Sequence, residues 1–192
     1  INRMVTDAIS DYFFVTEKSG VDNLKREGKS EERIFFVGHV MIDNLLYQLN
    51  KAKSENLRLK YRELKEELGK YIFMTLHRPS NVDQKTTLET IVAVLNRIAD
   101  ATPIVFPVHP RTSKMLAQFG IELSRNIHQL PPLGFLESLY LWKDAALVIT
   151  DSGGLQEETT ALGIPCLTLR ENTERPVTVA EGTNKLVKAE AL

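Results

Sequence analysis

One cysteine and one tryptophan occur in 192 residues, and charge nearly cancels, with 24 Lys and Arg against 25 Asp and Glu. No apolar run approaches the ~20 residues needed to cross a bilayer, and no signal-peptide pattern opens the chain, so no membrane partner is expected. A formal net charge of -1 leaves no basic footprint for nucleic acid. Cys166 has no second cysteine to pair with, which excludes an internal disulfide and fits a reducing, cytoplasmic setting. Its place in the apolar run Ile164 to Leu169 reads as a buried structural thiol rather than a nucleophile. Cofactor signatures are missing too. No Gly-x-Gly-x-x-Gly follows a strand, which argues against a nicotinamide cofactor, and no Gly-x-x-x-x-Gly-Lys-Ser/Thr is present, which argues against a P-loop enzyme. The His, Cys and acidic residues nowhere take a metal-ligand spacing, so no metal is expected.

What is present is alternation. Short apolar runs at Tyr12–Val15, Ile34–Val37, Tyr71–Thr75, Ile104–Val108, Ile127–Leu130, Leu147–Thr150 and Cys166–Leu169 predict strands, and Lys185-Leu186-Val187 is strand-like. Amphipathic helical patterns separate them. Ile42, Leu45, Leu46 and Leu49 share one face, as do Leu88, Ile91, Val92, Leu95 and Ala99; Leu136, Leu139 and Tyr140 mark a shorter helix. A charged segment from Leu57 to Leu68 begins another helix, which Gly69 is placed to end. Residues Ile1 to Ser10 read as the middle of a helix, and the sequence opens on Ile rather than Met, so a piece of a longer protein is expected. Alternation of this kind predicts an α/β fold, a parallel sheet with helices on both faces, whose ligands bind beyond the carboxyl ends of the strands.

The most informative stretch is Thr150-Asp151-Ser152-Gly153-Gly154-Leu155-Gln156-Glu157-Glu158, a strand end, a tight turn and a helix start. Ser152 is placed to cap the helix. Glycines at 153 and 154 let a bulky group approach the helix's first N–H groups, which lack intrahelical partners and carry partial positive charge. That makes a seat for an anion, most often a phosphate. Glu158 lies four residues beyond Gly154 on the same face, roughly 6 Å along the axis, where a ribose can present its hydroxyls. The same nonapeptide also reads as an ordinary capped helix with early acidic residues, and both readings stay open on these residues alone.

Other distinctive residues follow strand ends: Leu76-His77-Arg78-Pro79-Ser80-Asn81, His109-Pro110-Arg111, Pro131-Pro132-Leu133-Gly134-Phe135 and Arg170-Glu171-Asn172-Thr173-Glu174-Arg175-Pro176. Singly, each has a plain explanation. His77 serves as a loop cap, His109 as rigid loop packing, His39 and His128 as structural residues, and Arg175 beside Glu174 as a surface ion pair. Together on one rim they suggest a nucleoside diphosphate site. His77 and Arg175 offer donors and positive charge to a pyrophosphate, Ser152 to Gly154 add hydroxyl and N–H donors, and Glu158 accepts from ribose. The stiff Pro131–Phe135 loop is suited to hold a planar base.

The glycine-turn motif, the 169–176 motif containing Thr173-Glu174-Arg175-Pro176, and Glu181-Gly182-Thr183-Asn184 resemble the non-hydrolysing UDP-N-acetylglucosamine 2-epimerases over essentially the whole chain. Thr75-Leu76-His77-Arg78 with Asn81, and Val37-Gly38 leading into Met41-Ile42-Asp43, extend the resemblance. It implies the C-terminal half of a two-domain glycosyltransferase-B-type fold. Residues 1–11 are then an interdomain helix remnant and 12–192 a Rossmann-like UDP-binding domain, with the N-terminal domain and a C-terminal tail lying outside the sequence. The family interconverts UDP-GlcNAc and UDP-ManNAc by anti elimination of UDP to a 2-acetamidoglucal and re-addition with inverted C2. Carried over by position, His77, Ser152, Gly153, Gly154 and Arg175 hold the pyrophosphate, and His77 stabilises the leaving group. Glu158 holds the ribose, and Leu133 and Ser138, with Phe135 nearby, border the uracil. The family's acid–base carboxylates lie in its N-terminal domain, so this half alone is expected to bind UDP weakly and not to epimerise. The full-length family members are commonly dimeric. His39 stands where the family usually has Asn, and His109-Pro110-Arg111 departs from the loop of the allosterically regulated members.

Three other functions remain as alternatives: a hydrolysing epimerase, a glycosyltransferase of similar fold, and a non-catalytic UDP-sugar binding module. Retaining glycosyltransferases of this class often carry a second glutamate eight residues after the first. Here Pro165 and Cys166 stand at those positions, which argues against that reading.

Overall fold

The computed structural model describes residues 2–54 and 60–188, and their contacts divide into two compact units, one up to Leu49 and one from Asn50. In the first, α1 (Asn2–Ile9) precedes β1 (Phe13–Val15), α2 (Lys18–Arg26), a 3-10 turn over Glu31–Arg33, β2 (Ile34–Phe36) and α3 (Val40–Ser54), which runs across the division. β1 and β2 pair in parallel, with Phe13 opposite Ile34. Gly20 lets α2 lie close to β1, since a Cβ there would stand 2.7 Å from Val15 Cγ1. Lys29 donates to the Asp7 carbonyl at 2.7 Å and Arg33 to that of Ser10 at 2.7 Å. These bonds group α1 with β1 and β2. The division falls after Leu49.

The second unit holds α4 (Arg62–Leu68), β3 (Ile72–Met74), α5 (Pro79–Val82), α6 (Lys85–Ala101), β4 (Ile104–Pro107), α7 (Pro110–Phe119) and β5 (Ile127–Leu130). It continues with α8 (Phe135–Trp142), β6 (Leu147–Thr150), α9 (Gly153–Ala161), β7 (Cys166–Leu169), α10 (Pro176–Ala180) and β8 (Asn184–Val187). Its six strands are all parallel in the order β5-β4-β3-β6-β7-β8. Every strand expected from sequence is present, several shortened by a residue at an end. The helix expected from Leu57 begins at Arg62 among the described residues, and Leu57 itself lies outside them; Gly69, at φ 60°, ends that helix as expected.

Strand alternation supplies the two core faces. Ile72 and Met74 of β3 pack with Ile104, Phe106, Ile127 and Ile149 against Leu88, Ile91, Val92 and Leu95 of α6 and Leu116 of α7. Phe73, Val105 and Val148 point the other way and are fully buried. α8 contacts β3 there, and the buried Tyr71 hydroxyl donates to the Leu141 carbonyl. Burial pushes the Tyr71 pKa well above its ordinary value, and pushes the Cys166 thiol up too, as suits a structural cysteine. Among the described residues no helix is long and apolar enough to cross a membrane.

The chain leaves β3 outward to β4 and β5, then returns to lay β6 on the other edge of β3. The carboxyl ends of β3 and β6 therefore flank the point where the winding reverses, which is where open α/β sheets form their binding crevice. Phe73→Ala is expected to lower unfolding stability by about 3–5 kcal/mol, measured by urea denaturation, because Phe73 is fully buried in the central strand.

Candidate functional site

At that reversal point Asp151, the first residue after β6, is fully buried. Its Oδ2 accepts from the backbone N–H of His77 at 2.9 Å, that of Arg78 at 2.7 Å and Asn81 Nδ2 at 3.2 Å. His77 Nδ1 stands 2.8 Å from Oδ1, which has no other partner. One carboxylate thus organises the whole turn after β3. Arg78 Nε donates to the Asp151 carbonyl at 2.8 Å, and Asn81 Nδ2 reaches the Leu169 carbonyl of β7 at 3.0 Å. Thr75 and Thr150 meet hydroxyl to hydroxyl at 2.6 Å across the same strand ends.

The electrostatics follow from this arrangement. Burial works against ionisation of Asp151, but the hydrogen bonds from the His77 ring and from the Arg78 and His77 N–H groups outweigh it and hold the carboxyl below its usual range. The same contact raises the His77 pKa above 6.5, against partial burial and the nearby Arg78 charge. Nδ1 is the ring nitrogen set on Asp151, and the His77 side chain is 40% exposed. A folded-state pKa above the unfolded value stabilises the fold fully below about 6.5, and that stabilisation fades as pH rises through the raised value. The lowered Asp151 pKa acts in the opposite sense, stabilising above about 3.8 and fading as pH falls through its folded value.

The turn after Asp151 departs from expectation in one respect. Ser152 occupies the N-cap position of α9 with φ -76° and ψ 139°, but its hydroxyl makes no capping bond. Thr150 Oγ1 accepts the Ser152 N–H at 2.9 Å, an ST-type turn just before the helix. A Cβ at Gly154 would meet nothing within 4 Å, as an approach path for a ligand requires. Gly153 is different. A Cβ there would stand 2.6 Å from Glu174 Oε1, so the absence of a side chain makes room for that carboxylate.

Glu174 and Arg175 do not form the surface pair with each other that their adjacency suggests. Arg170 Nη2 donates to Glu174 Oε2 at 2.6 Å, and Arg78 Nη2 lies 3.9 Å from Oε1. The Arg170 hydrogen bond, partly opposed by desolvation, holds the Glu174 carboxyl down to about 2. Arg175 Nε stands 3.1 Å from Oε1 of the buried Glu157. Glu158, the next residue, is also buried in α9. The 173–175 loop is stitched to α9 by Gln156, fully buried, whose Oε1 accepts from Thr173 at 2.7 Å and from Asn184 of β8 at 3.0 Å. Gln156 Nε2 donates back to the Ser152 carbonyl at 2.9 Å.

Around the rim, His109 caps α7, its Nδ1 accepting the Arg111 N–H at 3.1 Å, and its ring centroid lies 5.6 Å from that of His77. Leu133 lies in the segment after β5, and Phe135 and Ser138 lie in α8, the helix that contacts β3. Glu137 accepts from Gly134 N–H at 3.3 Å, half of a capping box, which fixes the start of α8. The structure thus joins His77 to the glycine turn and carries Arg175 onto Glu157. Sequence reasoning missed Asp151 as an organising residue, and with it Arg170 and Gln156. The available signal was an acid placed directly after a buried strand and before two glycines.

A family model described as UDP-N-acetylglucosamine 2-epimerase matches residues 1–191. The chain belongs to that family. It is 43% identical over 194 residues to a UDP-N-acetylglucosamine 2-epimerase of Methanocaldococcus jannaschii, covering 97% of this chain and 53% of the relative. A UDP-2,3-diacetamido-2,3-dideoxy-D-glucuronate 2-epimerase of Pseudomonas aeruginosa is 38% identical over 192 residues, covering 98% of this chain and 52% of the relative. Among solved structures, the M. jannaschii UDP-GlcNAc 2-epimerase in complex with UDP-GlcNAc and UDP superposes with TM-score 0.85 at 40% identity, over 99% of this chain and 54% of that one. The chain spans about half the length of the relatives it matches, and its fold is that of half a glycosyltransferase-B-type epimerase.

Asp151→Asn is expected to lower the pKa of His77, followed by NMR titration of its ring proton, because the replacement removes the charge that holds the imidazolium. An unchanged midpoint would show that the Asp151 contact does not set the ring's protonation.

Proposed function

We propose that the crevice at the β3–β6 reversal binds UDP, and that this chain is the UDP-binding half of an epimerase interconverting UDP-GlcNAc and UDP-ManNAc. The observation that carries the reading is the His77–Asp151 couple set beside the glycine turn at the end of β6. An imidazole whose pKa is raised by Asp151, set beside the N-terminus of α9, suits a diphosphate. The M. jannaschii relative, 40% identical and solved in complex with UDP-GlcNAc and UDP, supports the choice of nucleotide.

In the proposed reaction the sugar C1–O bond breaks as C2 loses its proton, and UDP departs with the bonding pair. His77 stabilises the charge developing on the leaving phosphate, and Ser152, Gly153 and Gly154 bind the same group. Because UDP stays bound, it can re-add at C1 while C2 takes a proton from the opposite face. Glu158 holds the ribose, and Leu133, Phe135 and Ser138 border the uracil. The proton-transferring carboxylates are assigned to the domain that precedes this half in the family. Residues 1–11 are proposed as an interdomain helix, and the full-length protein as a homodimer. The P. aeruginosa relative, named for a different 2-acetamido UDP-sugar, favours a second reading of the substrate alone: the residues gathered here hold the UDP that such sugars share.

The full-length protein is expected to convert UDP-GlcNAc to UDP-ManNAc with solvent deuterium entering at C2, read by mass spectrometry. UDP binding without exchange would overturn the epimerase assignment. Glu158→Ala is expected to weaken UDP binding by about 1–3 kcal/mol in isothermal titration, the worth of a charged hydrogen bond to ribose. Equal affinity would leave Glu158 as a residue of the helix alone.

A further inference from the structure

One guanidinium at the glycine turn has a donor to spare. The Arg170 side chain is 10% exposed. Its Nη2 is engaged by Glu174 Oε2 at 2.6 Å, while Nη1 is buried and makes no hydrogen bond. Leaving a buried charged donor unmade is costly, and native structures rarely do so without a reason. Nη1 lies 3.8 Å from where a Gly153 Cβ would project, beside the first residue of α9. The unpaired donor and the helix N-terminus therefore converge on the same spot.

Neighbouring groups fix that geometry. Glu174 packs against the bare Cα of Gly153 and grips one edge of the guanidinium. Arg78, anchored through Nε on the Asp151 carbonyl, closes the ring from the other side at 3.9 Å from Glu174. The loop carrying Glu174 is itself held by Thr173 on Gln156. Arg175 forms an ion pair with Glu157, Nε standing 3.1 Å from Oε1.

We infer that Arg170 binds the diphosphate through Nη1, and that Glu174 is the positioning residue that presents it. The inference rests on the nucleotide reading above and adds a ligand to the phosphate end of the site. The two terminal guanidinium nitrogens make the division of labour possible: Nη2 is fastened to a carboxylate of the protein, and Nη1 is offered to the phosphate oxygens.

The test compares UDP with uridine, which lacks the phosphates, by titration on the full-length protein. Arg170→Met is expected to weaken UDP binding roughly 10- to 100-fold, the worth of a charge-assisted hydrogen bond, and to leave uridine binding unchanged. Arg170→Lys, which keeps the charge but loses the fork, is expected to recover only part of that loss. Glu174→Ala should weaken UDP selectively as well, and Glu174→Gln, which still accepts from Nη2, should restore most of the affinity. Equal loss for UDP and uridine, or no loss for UDP, would overturn the role of Arg170. Full UDP affinity in Glu174→Ala would overturn the role of Glu174. A wild-type protein that does not prefer UDP to uridine would instead overturn the nucleotide reading on which both rest.

Discussion

The site depends on a single buried carboxylate. Taking the Asp151 charge out of water costs several kcal/mol, and the fold offsets that by converging two backbone N–H groups, the Asn81 amide and the His77 ring on its two oxygens. The turn after β3 has little freedom left once these bonds are made. Its N–H groups face Asp151, its histidine ring is fixed at Nδ1, and the Arg78 stem is tied back to the Asp151 carbonyl. Asn81 carries the constraint one strand farther, to the carbonyl at the end of β7. Three strand ends are thus locked around one charge, and the charge raises the pKa of the group that faces outward. Structure and electrostatics have the same source here.

A second, uncharged network does for α9 what Asp151 does for β3. Gln156, Thr173, Asn184, Thr178 and Thr168 satisfy one another inside the protein, with Thr168 donating to Asn184 at 2.7 Å and Asn184 to Thr178 at 3.1 Å. Buried polar groups joined this way specify one arrangement, because any other leaves several of them without partners. The arrangement they specify places the 173–175 loop against the glycine turn. Gly153 then accommodates Glu174, and the two arginines that flank that carboxylate come within reach of the helix N-terminus. Close approach of Glu174, rather than an unusual backbone angle, is what marks glycine at that position.

Much of this was legible from residue order. Apolar runs of four or five residues between amphipathic helices predicted the strands, and parallel winding put His77, His109, Leu133, Ser152 and Arg175 on one rim, as expected. The local details were less legible. Ser152 has the composition of a cap, yet its hydroxyl makes no capping bond, and its own N–H is taken by Thr150 two residues earlier. Glu174 and Arg175 are adjacent, so a pair between them looks natural. Their side chains diverge instead, to Arg170 and to Glu157, because the loop turns between them. In the first unit, Phe13 and Ile34 pair in a two-stranded parallel sheet, as the apolar runs around them predict.

The sequence by itself determined the alternation of elements, the carboxyl-end placement of the polar residues and the family to which the chain belongs. These follow from short-range periodicity and motif order, which any reader of the chain can count. Only the tertiary structure decided that β6 returns to the side of β3, and therefore that Asp151 meets His77, 74 residues away in sequence. It likewise decided which arginine keeps a free donor at the turn. Partnerships of that kind are set by strand order and by competition among buried charges, and neither leaves a periodic trace in the chain.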